Sequence, residues 1–220
     1  MIRYVKIVVF LLCLVPLAFL LWGFFGATPR DMTTWGAGLG ANPIEKITHT
    51  TGNWTLWFLL LTLTITPARK LLHLPSLIKF RRMLGLFAFF YGCLHFLTYI
   101  WLDKFFNVHE MLADIAKRKF ITVGFTGLVL MVPLAITSTT GWIRRLGGKR
   151  WQMLHRLIYF SAIAGVIHYI WLVKADVREP AKYAIVLGVL LSYRVIVWAM
   201  TALKKKRSQA AAIVPRPAVP

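Results

Sequence analysis

Six long apolar runs separated by polar connections organise the chain, at roughly residues 5–27, 50–69, 81–102, 119–137, 151–172 and 181–201. A membrane-spanning helix needs about 20 predominantly apolar residues, and each run has that length. The pattern predicts an all-α fold, a polytopic membrane bundle of six transmembrane helices. The second run is the most diluted, because Thr50, Thr51, Gly52 and Asn53 interrupt its start. The first is longer than the roughly 7 to 15 apolar residues of a signal-peptide core, so it reads as a retained helix. Connections at 68–80, 138–150 and 173–180 leave room for turns, with Pro75, Gly141, Gly147, Gly148 and Pro180 as breakers. Those at 28–49 and 103–118 are longer. The bundle is expected to fill residues 1–203. Residues 204–220, basic and then rich in Ala and Pro, read as a cytoplasmic tail that lies on anionic lipid and then disorders.

Composition agrees with a chain dissolved in lipid: 58% of residues are hydrophobic and 14% aromatic, with a mean hydropathy of +0.66. The net charge of +20 suggests nucleic acid only until the basic residues are sorted by side. With a cytoplasmic amino terminus, the inner segments hold 16 basic residues and no acids, while the outer ones hold nine basic residues and all seven acids. This asymmetry places both termini inside, and no nucleic-acid partner is expected.

Within the apolar runs, His95 and His168 carry the chemistry. An imidazole in hydrocarbon is costly without a partner, so an intramembrane histidine is a functional-site candidate. Gly85, Ala88, Gly92 and His95 follow helical spacing and share one face, as do Ser161, Ala164 or Gly165, and His168. Small residues of this kind also serve simple close packing of helices. Trp101 and Trp171 close the two runs at an interfacial belt, which puts both histidines at matched depth below the same surface. Two imidazoles at one depth on two helices suit the axial ligands of one haem.

His155 lies near the other surface, 13 residues before His168. On a straight helix, 13 residues at about 100° each leave the two rings facing different ways. Either the helix bends, or His155 serves another cofactor: a second haem, a flavin or a quinone. Arg156 and Arg194 are candidate contacts for haem propionates or a phosphate, with snorkelling to lipid headgroups as the plainer role. His49 is a candidate supporting residue, His73 and His109 read as surface, and Cys13 and Cys93 read as buried packing thiols. There is no Ser/His/Asp arrangement, paired carboxylate, Gly-rich phosphate loop or Cys-x-x-Cys, so no catalytic residue is assigned. Two readings compete with an electron carrier: a small proton or ion transporter with a histidine relay, and a cofactor-free membrane anchor.

The runs Thr64-Ile65-Thr66-Pro67, Arg81-Arg82-Met83-Leu84-Gly85-Leu86, Leu94-His95, Thr137-Ser138-Thr139, Gly148-Lys149-Arg150-Trp151-Gln152-Met153-Leu154-His155 and Ile167-His168-Tyr169 resemble a known family. It comprises the haem-binding membrane subunits of periplasmic methionine sulfoxide reductase systems, in the ferric-reductase-like transmembrane class. The resemblance implies a b-type cytochrome of the bacterial inner membrane, with one haem b or two, also associated with FMN. It implies electrons from the quinone pool passing to a periplasmic molybdopterin-containing subunit, where the sulfoxide chemistry takes place. Oxidase members of the class carry two histidines on each of the third and fifth helices. Here the inner position on the third, 14 residues before His95, is Arg81. That departure leaves one complete pair, His95 with His168. The flavin and nicotinamide domains of those oxidases are absent too, so the resemblance implies that electrons arrive from another molecule.

Overall fold

The computed structural model describes residues 2–25, 37–173 and 175–213, and within these every regular element is helical. Asp31 and Arg30 of the first long connection, Lys174, and Arg216 of the tail lie outside the described residues. The helices are α1 (Ile2–Phe25), α2 (Pro43–Leu71), α3 (Ile78–Thr98), α4 (Val108–Lys117), α5 (Lys119–Ile136), α6 (Thr140–Leu146), α7 (Gly148–Leu154), α8 (Leu157–Leu172) and α9 (Arg178–Ile213). Their starts carry legible caps. Asn42 accepts from the Glu45 N–H while its amide donates back to the Glu45 carboxylate, and Asn107 and Glu110 repeat the arrangement at α4.

Five helical stretches are long and apolar enough to cross a membrane: Ile2–Phe25, Pro75–Asp103, Lys119–Ile136, Gly148–Leu172 and Arg178–Gln209. The second expected span, α2, has the length but not the same apolar content. It is nevertheless the centre of the bundle, with Phe58, Leu59, Leu60 and Leu63 all at 2% exposure or less. The polar residues that dilute its start lie inside the helix. Thr51 donates to the Ile47 and Thr48 carbonyls and Thr55 to that of Thr51, so each hydroxyl is satisfied by its own helix. The helix begins at Pro43 rather than near residue 50, with Asn42 as its cap. The most extensive pairings are α2 with α3 and α5 with α8. Outward faces of α1 and α9 are apolar, as at Trp22, Ile185 and Trp198, which suits a lipid solvent.

The structure departs from the expected connections in three places. Residues 103–118 contain α4, and 138–150 contain α6 and the start of α7. The fifth long run is interrupted at His155 and Arg156, where the N–H groups of Arg156 and Tyr159 bond three residues back rather than four. The run is thus divided into α7 and α8 between the two histidines. The basic run Lys204–Arg207, expected to begin a disordered tail, instead continues α9 to Ile213, because Lys, Arg, Gln and Ala are all good helix formers.

Pro16 lies within α1, where its ring opens the helical ladder. The gap is closed from α3: the Leu17 N–H donates to the Tyr91 hydroxyl, at 3.1 Å, and that hydroxyl donates to the Cys13 carbonyl, at 2.9 Å. Tyr91, with 0% exposure, thus bridges Leu17 and Cys13 on either side of Pro16. Replacing it, Tyr91→Phe, leaves a buried donor and acceptor unpaired. The expected loss is about 1–3 kcal/mol, read as a lower midpoint of thermal unfolding in detergent micelles.

Candidate functional site

His95 and His168 face each other across the middle of the bundle, their ring centroids 6.1 Å apart and their planes inclined by 77°. Each ring is held by a backbone carbonyl of the neighbouring helix. His95 Nδ1 lies 2.9 Å from the Thr48 oxygen on α2, and His168 Nδ1 lies 2.7 Å from the Phe120 oxygen on α5. A carbonyl can only accept, so each Nδ1 carries the hydrogen and each Nε2 keeps its lone pair. Neither Nε2 makes a hydrogen bond among the described residues, and both rings open onto a cavity.

A glycine one turn beyond each carbonyl makes this approach possible. A Cβ on Gly52 would sit 3.1 Å from His95 Nδ1 and Cε1, and one on Gly124 only 2.5 Å from His168 Nδ1. The two clasps are structural equivalents: the carbonyl precedes its histidine by 47 residues in one and by 48 in the other. Sequence reasoning missed Gly52, Gly124 and both carbonyls. The available signal was a glycine inside an apolar helix at a near-equal distance before each histidine; the carbonyls had none.

The rings border a cavity of about 320 Å³. One end of its lining is polar, with His49, Asn53, Tyr99, Asp103, Arg118 and Tyr169; the other is apolar, with Leu56, Leu59, Leu128 and Met131. Gly92, Gly127 and Gly165 also lie on its lining, where the helices pack closely. The small-residue stripes therefore divide in use. Gly92 and Gly165 lie on the cavity lining and admit Met131 and Leu56, to which an added Cβ would come within 3.1 and 2.8 Å, whereas Ala88 is fully buried, Gly85 lies against Thr62, and Ser161 donates to the Gly127 carbonyl. His49, the supporting candidate, is on the lining.

His155 is not brought to this cavity. Its ring stacks on Trp151 at 3.9 Å, and its Nε2 lies 3.0 Å from Thr137 Oγ1. That hydroxyl donates to the Pro133 carbonyl, so it accepts from the histidine. Trp151 Nε1 donates to the Thr137 carbonyl and completes the group. Arg156 is exposed. Arg194 donates to the Tyr159 hydroxyl and to the Leu63 carbonyl. Neither arginine lines the cavity; Arg118 does.

Residues 51–166 match the family described as ferric reductase like transmembrane component, which with the helical spans makes this a multi-pass membrane protein. Among curated relatives, a Herminiimonas arsenicoxydans protein is 56% identical over 174 residues, covering 78% of this chain and 79% of its own. A Rhodospirillum rubrum protein is 50% identical over 206 residues, covering 94% and 92%. A third, from Xanthomonas campestris pv. campestris, is 47% identical over 207 residues, covering 94% and 91%. Each is named protein-methionine-sulfoxide reductase heme-binding subunit MsrQ. The chain belongs to the MsrQ family of ferric-reductase-like transmembrane proteins.

Just outside the cavity mouth, Lys104 Nζ lies 2.8 Å from Asp114 Oδ2 and Arg118 Nε lies 3.2 Å from Oδ1, tying α4 to the bundle. The hydrogen bond from Lys104, reinforced by the Arg118 charge, holds the Asp114 carboxyl below the usual carboxylate range. The same bond raises the Lys104 amine above its ordinary value. The Asp114 contribution is complete above the ordinary carboxylate pKa and is lost as pH falls through the lowered one. That of Lys104 is complete below its ordinary pKa and is lost as pH rises through the raised one. The protection of amides across residues 108–117 from hydrogen exchange, taken relative to the intrinsic rate at each pH, should hold from mildly acidic to mildly alkaline pH and fall below the carboxylate range. Asp114→Asn should show the reduced protection already at neutral pH.

Proposed function

We propose that the protein is a b-type cytochrome subunit that carries electrons across the bacterial inner membrane, with His95 and His168 as axial ligands of one haem. The observation that carries this reading is the pair of imidazoles with pinned Nδ1 and unpartnered Nε2. If both Nε2 atoms held one metal, two bonds of about 2 Å each plus the distance from each nitrogen to its ring centre would set the centroids roughly 6 Å apart. The observed 6.1 Å fits that spacing. The printed name of the relatives, heme-binding subunit, points to the same group.

When bound, haem would supply one-electron redox chemistry whose potential the protein tunes. The chain's own residues do the rest. The Thr48 and Phe120 carbonyls fix the tautomer and orientation of the ligands and raise their basicity. Leu56, Leu59, Leu128 and Met131 exclude water from the apolar end. The polar mouth, with Arg118 as its cation, suits the propionates, a role for which Arg156 and Arg194 are misplaced. His155, with its Nε2 hydrogen directed to Thr137, favours a single haem.

The wider reading follows from charge and resemblance. With α2 counted as a span, six crossings put both termini on the basic, cytoplasmic side. Electrons would come from the quinone pool, with FMN as the accessory carrier the resemblance implies. They would leave toward a periplasmic molybdopterin-containing subunit that reduces methionine sulfoxide in oxidised proteins. The acid-bearing segment around α4, beside the cavity mouth, suits that exit.

A reduced-minus-oxidised spectrum of the purified protein tests the reading. A b-type band is expected in the native protein and in His155→Ala, and its loss in His95→Ala and His168→Ala. Absence of the band from native protein supplied with haem would overturn the proposal in favour of a histidine relay or an anchor. Gly124→Ala, which forces His168 off the Phe120 carbonyl, should lower haem retention on dilution while helicity by circular dichroism is kept.

A further inference from the structure

We propose that the end of the bundle opposite the cavity mouth holds a binding site for a phosphate group, built from Arg81, Arg194, Arg69 and the hydroxyl of Thr66. The site is separate from the haem cavity and does not depend on the haem reading. Helices α2 and α3 run antiparallel, and their register is fixed where Gly85 faces Thr62: a Cβ at Gly85 would lie 3.6 Å from the Thr62 methyl. One turn further along each helix, Thr66 and Arg81 come level. Arg81 lies within electrostatic reach of Arg69, Arg194 and Tyr159, and His155 within reach of Arg81. Arg194 joins the group from α9, held to α8 through Tyr159 and to α2 through the Leu63 carbonyl. Thr66 and Arg69, three residues apart, are neighbours on the surface of α2.

Two independent observations show that this group lacks a component. Among the described residues, the buried side-chain nitrogens and oxygens without a hydrogen-bond partner are Thr66 Oγ1 and Arg194 Nε, and both belong to it. Thr62 and Thr64 on the same helix donate to carbonyls four residues back, whereas Thr66 does not. The second observation is charge. No acidic residue occurs between Glu45 and Asp103, between Asp114 and Asp176, or after Glu179. Every ion pair among the described residues involves Lys104, Arg118, Arg178 or Lys182, away from this end.

Three guanidiniums gathered at the inner end of an apolar bundle repel one another and are costly to desolvate without an anion. Simple snorkelling does not account for Arg194, whose terminal nitrogens are bonded to Tyr159 and Leu63 rather than directed to water. A phosphate matches what is present: several oxygens that accept from forked guanidiniums and from a hydroxyl, with charge to balance the cluster. It would belong to the headgroup of an anionic phospholipid or to a soluble phosphate ester.

The full-length protein in maltoside micelles, which contain no phosphate, separates these sources. Its thermal unfolding is followed by tryptophan fluorescence during titration with inorganic phosphate at ionic strength held constant with chloride, and separately with phosphatidylglycerol. A saturable rise in Tm with inorganic phosphate supports the site and a soluble ester; a rise with phosphatidylglycerol alone supports the site and a lipid. In either case Arg194→Gln and Thr66→Val should raise the half-saturating concentration about tenfold or more, as expected for loss of a hydrogen bond to a charged group. Arg82→Gln, which removes an exposed neighbouring charge, should leave it unchanged. Arg81→Lys, which keeps the charge but not the fork, covers the case in which Arg194→Gln fails to fold. No saturable response, or an equal loss of response in Arg82→Gln, overturns the proposal.

Discussion

The bond between a main-chain carbonyl and an imidazole Nδ1 is the constraint on which the centre of this protein rests. It appears twice, from Thr48 to His95 and from Phe120 to His168. Each time a glycine one turn on leaves room for the ring. The bond settles which nitrogen carries the hydrogen, points the other at the facing helix, and ties α2 to α3 and α5 to α8. Those are also the two most extensive helix pairings. Packing and ring orientation are thus one feature: a helix shift that spoiled the pairing would also turn the ring.

Around that centre the bundle is graded from one end to the other. The mouth gathers the cavity's polar lining and the ion pairs of Lys104, Asp114 and Arg118. The middle is apolar, and there even a helix break is repaired within the protein: Tyr91 spans the opening beside Pro16 because lipid could not. The far end carries guanidiniums without carboxylates. In a low dielectric such a separation of charge is costly, which gives the far end the same kind of significance as the histidines: polar groups placed there must have a counterpart.

The apolar runs made most helices legible, because about 20 residues of hydrocarbon-compatible sequence leave little alternative to helix. The start of α2 was less legible: Thr51 and Thr55 look hydrophilic in sequence but satisfy themselves on their own helix. That His95 and His168 would come together was legible from their matched depth and from the small-residue faces that carry them. The polar mouth was not. Arg118 reaches the cavity lining only because α4 and the turns around it fold back, while Arg156 and Arg194, placed suitably in the runs, are directed elsewhere.

By itself the sequence determined that the chain is helical, lipid-dissolved, lopsided in charge and furnished with two imidazoles at one depth, since these depend on composition and on the fixed rise of a helix. Only the tertiary structure decided that the rings meet 6.1 Å apart with their Nδ1 atoms pinned. It alone decided that His155 turns to Thr137 and that Thr66 and Arg194 are left with unpaired buried atoms. Those outcomes depend on how helices rotate and slide against one another, and their partners are backbone atoms that every residue possesses and no sequence pattern marks.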